Sequence, residues 1–108
     1  MVIVVTTTYF PSESSAEVGK KYIEQVKKFP PDRSLEKLLV PVAVKTTKKG
    51  MKGITVAEVK DGKFKEYIAR SYANLLGYFE IKGYRVEIEV YMSGVEALPL
   101  VGLKMPEL

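Results

Sequence analysis

Hydrophobic and polar residues follow the period of a β-strand in four segments of the chain, and this pattern predicts four strands. Residues 2–8, VIVVTTT, are β-branched throughout, and the unbroken run VIVV indicates apolar contacts on both faces of the strand. Residues 35–46 and 53–60 predict the second and third strands. Pro41 lies in the second strand, and because proline has no N–H to donate, it indicates an edge position or a β-bulge. Residues 84–92, YRVEIEVYM, alternate regularly and predict the fourth strand.

Two further segments carry apolar residues at the spacing of an amphipathic helix. In residues 16–29 the apolar stripe consists of Ala16, Gly19, Tyr22, Ile23, Val26 and Phe29. Ser14 followed by Glu17 predicts a capping box at the start of this helix. Gly19 within the stripe indicates either a close approach of the helix to the sheet or a tolerated helix glycine. Residues 63–82 predict a longer helix, whose apolar face consists of Phe64, Ile68, Tyr72, Leu75, Leu76 and Phe79.

The elements follow one another in the order β-α-β-β-α-β, which predicts an α+β fold. With right-handed crossovers this order gives a ferredoxin-like plait, a four-stranded antiparallel sheet with both helices on one face. We therefore predict a single ferredoxin-like domain over residues 1–108. Residues 95–108 form an apolar C-terminal extension, whose prolines and glycines argue against a regular helix.

The second face of the predicted sheet is bare, yet its strands carry apolar side chains there. Such a face marks an association surface in a soluble protein. We therefore predict a homo-oligomer, specifically a dimer that forms through the sheet face. The extension at residues 95–108 either wraps over the edge of its own sheet or clasps the partner subunit.

In element order and length the chain resembles the dimeric α+β barrel superfamily. The resemblance implies ferredoxin-like plaits that stack sheet to sheet, often with a C-terminal element that reaches the neighbouring subunit. The superfamily includes small monooxygenases of the antibiotic-biosynthesis type, ethyl-tert-butyl-ether-degradation-type proteins, chlorite dismutase relatives and ligand-sensing domains of transcription regulators. Its haem- and metal-dependent members rely on histidine, which this chain lacks, so the resemblance implies a ligand-binding or cofactor-independent protein.

The amino-acid composition excludes several chemistries. The chain contains no cysteine and no histidine, so it can build neither a Ser-His-Asp triad nor a zinc site with cysteine or histidine ligands. Because its acidic residues are scattered, we expect no metal site and no cofactor. No apolar run is long enough to span a bilayer and no signal peptide is evident, so we expect a cytoplasmic protein without membrane contact. Scarce Asn, Gln and Cys beside abundant Lys predict a thermophilic, archaeal source.

The whole net charge of +4 resides in residues 45–53, KTTKKGMKG, which contain Lys45, Lys48, Lys49 and Lys52. These lysines could contact phosphates, or they could be the solvated tip of a hairpin that discourages edge pairing. RNA-recognition domains of this fold stack bases on aromatic residues of the first and third strands. Neither predicted strand contains an aromatic residue, so we favour the hairpin tip and do not expect nucleic-acid binding.

Two sets of polar residues are candidates for a ligand site. The first is a polar-aromatic seam along one flank of the second helix, which consists of Tyr67, Ser71, Asn74 and Tyr78. Such a flank suits a ligand pocket or a packed subunit boundary. The second set is Glu87 and Glu89 of the last strand, which could supply acid–base chemistry if their face lines a cleft and would only solubilise the protein if it is exposed.

Three functions remain open from the sequence. The first is the binding of a small molecule, with or without a cofactor-independent reaction. The second is a structural or regulatory homo-oligomeric module without catalysis. The third is nucleic-acid binding through the lysine hairpin. The sequence does not decide whether the protein is an enzyme.

Overall fold

The protein is a four-stranded antiparallel sheet with two helices on one face. The computed structural model describes residues 1–108. The elements in chain order are β1 (Val2–Phe10), α1 (Ser15–Lys28), β2 (Glu36–Thr47), β3 (Gly50–Val59), α2 (Phe64–Leu76), β4 (Arg85–Met92) and α3 (Gly94–Ala97), with short 3₁₀ helices at Ser12–Ser14 and Leu98–Val101. The strand order is β2-β3-β1-β4, and every neighbouring pair is antiparallel. The predicted ferredoxin-like plait is therefore confirmed.

The hydrophobic core lies between α2 and the two central strands. Val4 of β1 pairs with Ala57 of β3, and both side chains are buried. They form one cluster with Val59 and with Tyr67 of α2, against which partly buried neighbours pack: Val2, Leu38, Ile68 and Ile88. Because side chains alternate between the two faces of a strand, this cluster fixes which face of the sheet lies under the helices.

β2 is an edge strand with an irregular register, as Pro41 indicates. The pairing of β2 with β3 shifts between Leu38 and Val40 and again between Val40 and Ala43. Each shift adds one residue to β2, so Val40 pairs with Val56, on the face away from the helices. The sequence pattern alone would place Leu38, Val40, Val42 and Val44 on one face, and this is wrong because the bulges reverse the alternation.

α2 ends six residues before the predicted boundary at residue 82. After Leu76 the chain continues in tight turns, in which the N–H groups of Tyr78 and Ile81 bond the carbonyls three residues earlier. These turns bury Tyr78 and Ile81 together.

α2 also presents a different flank to the sheet from the predicted one. Tyr67, which is not on the predicted face, is buried. Of the predicted face, Leu75 is buried and Ile68 packs against the core, whereas Tyr72 and Leu76 are 55% and 69% exposed. The polar-aromatic seam therefore faces inward, and the predicted apolar face is turned largely to solvent.

α1 packs less tightly than predicted. Ser14 is its N-cap but its side chain makes no capping hydrogen bond, because a 3₁₀ turn precedes the helix and the Ser15 hydroxyl donates to the carbonyl of Ser12. The predicted close approach at Gly19 is wrong, since a Cβ built there would meet no atom within 4 Å. Gln25 is the buried residue of α1.

Apolar side chains on the open face of the sheet are partly buried, whereas the C-terminal extension leaves apolar groups uncovered. Ile3 and Val5 of β1 lie on the open face beside Ile54 and Val56 of β3. The extension contains α3 and a 3₁₀ helix, so the expectation of no regular helix is wrong for Gly94–Ala97. Its apolar side chains are mostly exposed, notably Val95, Leu100, Val101 and Leu103. No helix of the structure is long and apolar enough to cross a lipid bilayer.

Candidate ligand-binding cavity

A cavity of about 660 Å³ lies between α1, α2 and the sheet. It forms because α1 stands away from the sheet at Gly19, while α2 packs onto the core at Tyr67. β1 and β3 provide the floor through Thr6, Thr8, Gly53 and Thr55. A Cβ at Gly53 would lie 2.8 Å from the Thr8 hydroxyl oxygen and 3.4 Å from Val44, so glycine lets three strands pack closely under the cavity.

The seam of α2 forms one wall of this cavity. Tyr67, Ser71, Asn74 and Tyr78 all line it. Tyr67 and Tyr78 are each 6% exposed. The sequence alone was compatible with this flank lining either a ligand pocket or a subunit boundary. In the single chain the flank lines a cavity.

The other predicted candidates lie elsewhere. Glu87 and Glu89 pair with Thr7 and Val5 of β1, on the open face of the sheet. There the Tyr91 hydroxyl donates a 2.6 Å hydrogen bond to Glu89. The structure therefore does not bring these two carboxylates together with the seam.

The lysines are also separate from the cavity. Lys48 and Lys49 form the turn between β2 and β3, where the Lys49 N–H donates to the Thr47 hydroxyl. Lys45 and Lys52 pair directly across the strands. The Lys52 ammonium lies 6.0 Å from the centre of the Tyr9 ring, within reach of a cation–π contact.

One end of the cavity is aromatic. The rings of Tyr78 and Tyr84 stack with centroids 5.0 Å apart, and the Phe10 ring also stacks with Tyr84, at 6.2 Å. Burial, with a smaller effect of the neighbouring Tyr22, raises the pKa of Tyr78 to about 12. Burial also raises the pKa of Tyr84, although the Thr8 hydroxyl opposes this rise. Both phenols are therefore neutral hydrogen-bonding groups at physiological pH.

The other end is charged and contains Asp32, Glu36 and Arg70 beside Tyr67. The Ser34 hydroxyl and backbone N–H donate to Asp32 at 2.6 and 2.9 Å, and these bonds lower the pKa of Asp32. Burial raises the pKa of Glu36, and the charge of Asp32 adds to this effect while Arg70 opposes it. Burial and the charge of Glu36 raise the pKa of Tyr67.

Arg70 is held in place by three contacts at this end. Its Nη2 donates a 2.5 Å hydrogen bond to the carbonyl of Pro30, and its Nη1 lies 4.0 Å from Asp32. Its guanidinium carbon is 5.8 Å from the centre of the Phe29 ring. These contacts join α2 to the end of α1 and close this side of the cavity.

Sequence reasoning missed Glu36, Arg70, Asp32 and Tyr84. A signal existed for Glu36, because it precedes Leu38 by two residues and so shares its face of β2. No comparable signal marked Arg70, whose role depends on where α1 ends in space. No cluster of three or more acidic side chains that could hold a metal ion is present.

Comparison with known proteins supports the fold and leaves the family open. No protein-family model matches the chain, and no curated protein matches it. A crystal structure from Deinococcus radiodurans, named provisionally as an antibiotic biosynthesis monooxygenase, shares 14% identity with a TM-score of 0.59 over 87% of this chain and 93% of its own. A de novo designed protein, Foldit4, shares 20% identity with a TM-score of 0.49 over 85% of this chain and 96% of its own. The first likeness confirms the ferredoxin-like α+β fold that the sequence predicts.

Proposed function

We propose that this protein binds a small, largely apolar molecule in the cavity between α1, α2 and the sheet. The observation that supports the proposal is the cavity itself, which has the volume typical of ligand sites and combines apolar walls with a few converging polar groups. The fold of the monooxygenase-named structure from Deinococcus radiodurans is compatible with small-molecule binding. Tyr67, Ser71, Asn74 and Tyr78 are the proposed ligand contacts on α2, and any reaction would use hydroxyl and carboxyl groups without a cofactor.

Titration with the neutral fluorescent probe N-phenyl-1-naphthylamine tests this proposal. The probe brightens in apolar surroundings, so the native protein should give a saturable rise in fluorescence. Gly19→Trp should abolish that rise, because Gly19 lines the cavity and has open space at its Cβ position. The variant should remain folded, since replacing a helix glycine improves helix propensity. Ala16→Trp is the matched control, since Ala16 is an exposed residue of α1 outside the cavity lining.

Equal probe binding by the native protein and Gly19→Trp would contradict the proposal. In that case the probe would occupy an exposed apolar surface, such as the open face of the sheet. Circular dichroism of both variants would show that the comparison concerns folded proteins.

We further propose that the protein assembles into a homodimer through the open face of its sheet. The isolated chain exposes 7654 Å², whereas a compact monomer of 12.1 kDa exposes about 6,000 Å². The excess is about 1,600 Å², and a standard interface buries about 800 Å² on each partner. The partly buried apolar groups of the open face and the uncovered groups of the C-terminal extension account for a surface of this kind.

A further inference from the structure

Glu36 is the carboxylate of the cavity that has no partner. It begins β2 and pairs with Val59, so its side chain lies on the helix side of the sheet beside Leu38. It is half-buried and lines the cavity. Neither a hydrogen bond nor an ion pair engages its oxygens, although withdrawing a carboxylate from water is costly without a compensating partner.

The neighbouring charged groups are already engaged. Asp32 accepts two hydrogen bonds from Ser34. Arg70 donates to the carbonyl of Pro30 and lies against the Phe29 ring, with Asp32 at 4.0 Å. Arg70 therefore has its charge partly balanced by Asp32 and one of its five N–H groups engaged, whereas Glu36 has no partner.

The charge at this end of the cavity favours a cation. Two carboxylates and one guanidinium line it. Lys60 lies outside the lining, although its charge helps to lower the pKa of Asp32. Tyr67 lines the same end, close enough to Glu36 for that charge to help raise the pKa of its phenol, and Tyr22 and Tyr78 also line the cavity. Aromatic faces attract ammonium groups electrostatically, and the same rings contact the apolar body of a ligand.

We infer that the ligand of this cavity carries a protonated amine on an apolar body, and that Glu36 is the carboxylate that binds the amine. The inference rests on the proposed small-molecule function and adds the chemical class of the ligand. Within the cavity, the ammonium group would lie between Glu36 and the Tyr67 ring, and the apolar body would extend towards Tyr78 and Tyr84.

Three probes with the same naphthalene ring test the inference by calorimetry at pH 7: 2-naphthylmethylamine, 2-naphthalenemethanol and 2-naphthoate. The amine should bind about tenfold to a hundredfold more tightly than the alcohol, which corresponds to a charge-assisted hydrogen bond. The acid should bind most weakly because Glu36 repels it.

Glu36→Gln provides the second arm of the test. It preserves the shape of the side chain and removes its charge. The affinity for the amine should therefore fall to that for the alcohol, and the affinity for the alcohol should not change. Glu58→Gln is the control, because Glu58 lies on the opposite face of the neighbouring strand and its removal should leave the preference for the amine intact.

The outcomes separate the inference from the function on which it rests. If the alcohol binds as tightly as the amine, and Gly19→Trp still blocks the alcohol, the cavity binds ligands and the preference for an amine is wrong. A preference that persists in Glu36→Gln would equally overturn the role of Glu36. If none of the probes, including N-phenyl-1-naphthylamine, binds in the cavity, the proposed function fails and the inference fails with it.

Discussion

At the scale of single residues, Gln25 and Asn74 join the two helices beside the cavity. They are the only glutamine and the only asparagine of the chain. The Gln25 Nε2 donates to the Asn74 carbonyl at 2.6 Å and to its Oδ1 at 3.1 Å. Gly77 makes this contact possible, because a Cβ there would lie 2.5 Å from the Gln25 Nε2. A buried side-chain amide needs such partners, so this contact fixes the distance between α1 and α2.

Replacing Gly77 with alanine should destabilise the protein by about 1 to 3 kcal/mol, because the added methyl group displaces Gln25 and leaves buried polar groups unpaired. Urea unfolding measures the effect. Gly19→Ala is the matched control, and it should stabilise the protein by about 0.5 to 1 kcal/mol, since Gly19 is a helix glycine with open space around it. If Gly77→Ala proved as stable as the native protein, the close contact with Gln25 would not exist.

The buried phenol of Tyr78 makes stability depend on pH in the alkaline range. Its pKa in the folded protein is about 12, whereas an unfolded tyrosine has a pKa of about 10. The unfolded chain therefore loses this proton first, and the stability contribution is complete below pH 10 and is lost as the pH rises from about 10 to 12.

We expect Tyr78→Phe to flatten this decline, so that about 1 kcal/mol less stability is lost between pH 8 and 11 than in the native protein. Tyr72→Phe should not flatten it, because Tyr72 is 55% exposed, on the outer side of α2. Chemical denaturation at each pH provides the comparison. Parallel curves for the native protein and Tyr78→Phe would show that the phenol is not buried.

At the scale of elements, the β2–β3 hairpin carries the net charge of the chain away from the cavity. Lys45 and Lys52 pair directly, so like charges face each other across the strands. Replacing Lys45, Lys48, Lys49 and Lys52 with glutamine should leave stability within about 0.5 kcal/mol of the native value, because exposed charges contribute little. We expect no retention of RNA or duplex DNA by the native protein at physiological salt. Retention that the quadruple variant loses would assign the hairpin to nucleic acid.

The strands could be predicted from the sequence more completely than the orientation of the helices. β-branched runs and alternation specify β1 and β4, and Pro41 marks the irregular edge strand. α2 was harder, because Tyr67 and Tyr78 on one flank and Tyr72 and Leu76 on the other are comparably apolar. A helical period identifies an amphipathic helix but cannot choose between two such flanks. That choice depends on Gln25, Gly77 and Arg70, whose contacts are all long-range.

The cavity itself has no sequence signature. It exists because α1 is held only near its C-terminal end, by Gln25 in its last turn and by the contacts of Arg70 just beyond it. The rest of α1 stands away from the sheet at Gly19. The seam was visible as a pattern, but its partner Glu36 comes from β2, distant in the sequence, and Tyr84 comes from the segment just before β4. Predicting the site would have required the tertiary arrangement.

At the scale of the whole molecule, a single chain is less compact than its length predicts. Its radius of gyration is 15.7 Å, compared with about 13 Å for a compact domain of this size. The C-terminal segment exposes apolar groups, and those of the open sheet face are only partly buried. A partner subunit that covers them would restore an ordinary ratio of surface to volume.

Light scattering at micromolar concentration should report at least twice the chain mass of 12.1 kDa. Deleting residues 95–108 should weaken this assembly or make the protein insoluble, since the deletion uncovers whatever the extension contacts in the oligomer. Val5→Lys, in the middle of the open face, should dissociate the dimer while leaving the opposite, helix-covered face intact. A native protein that stayed monomeric at all concentrations would rule out the sheet-face dimer.

The central claim is that a small molecule binds between α1, α2 and the sheet, and a crystal structure of the protein grown with N-phenyl-1-naphthylamine tests it most directly. We predict probe density inside the cavity, between Gly19 of α1, Tyr67 of α2 and Tyr78 of the turn after α2, with α1 in its present position. Density on the open sheet face instead, or α1 collapsed onto β3 so that no cavity remains, would contradict the claim.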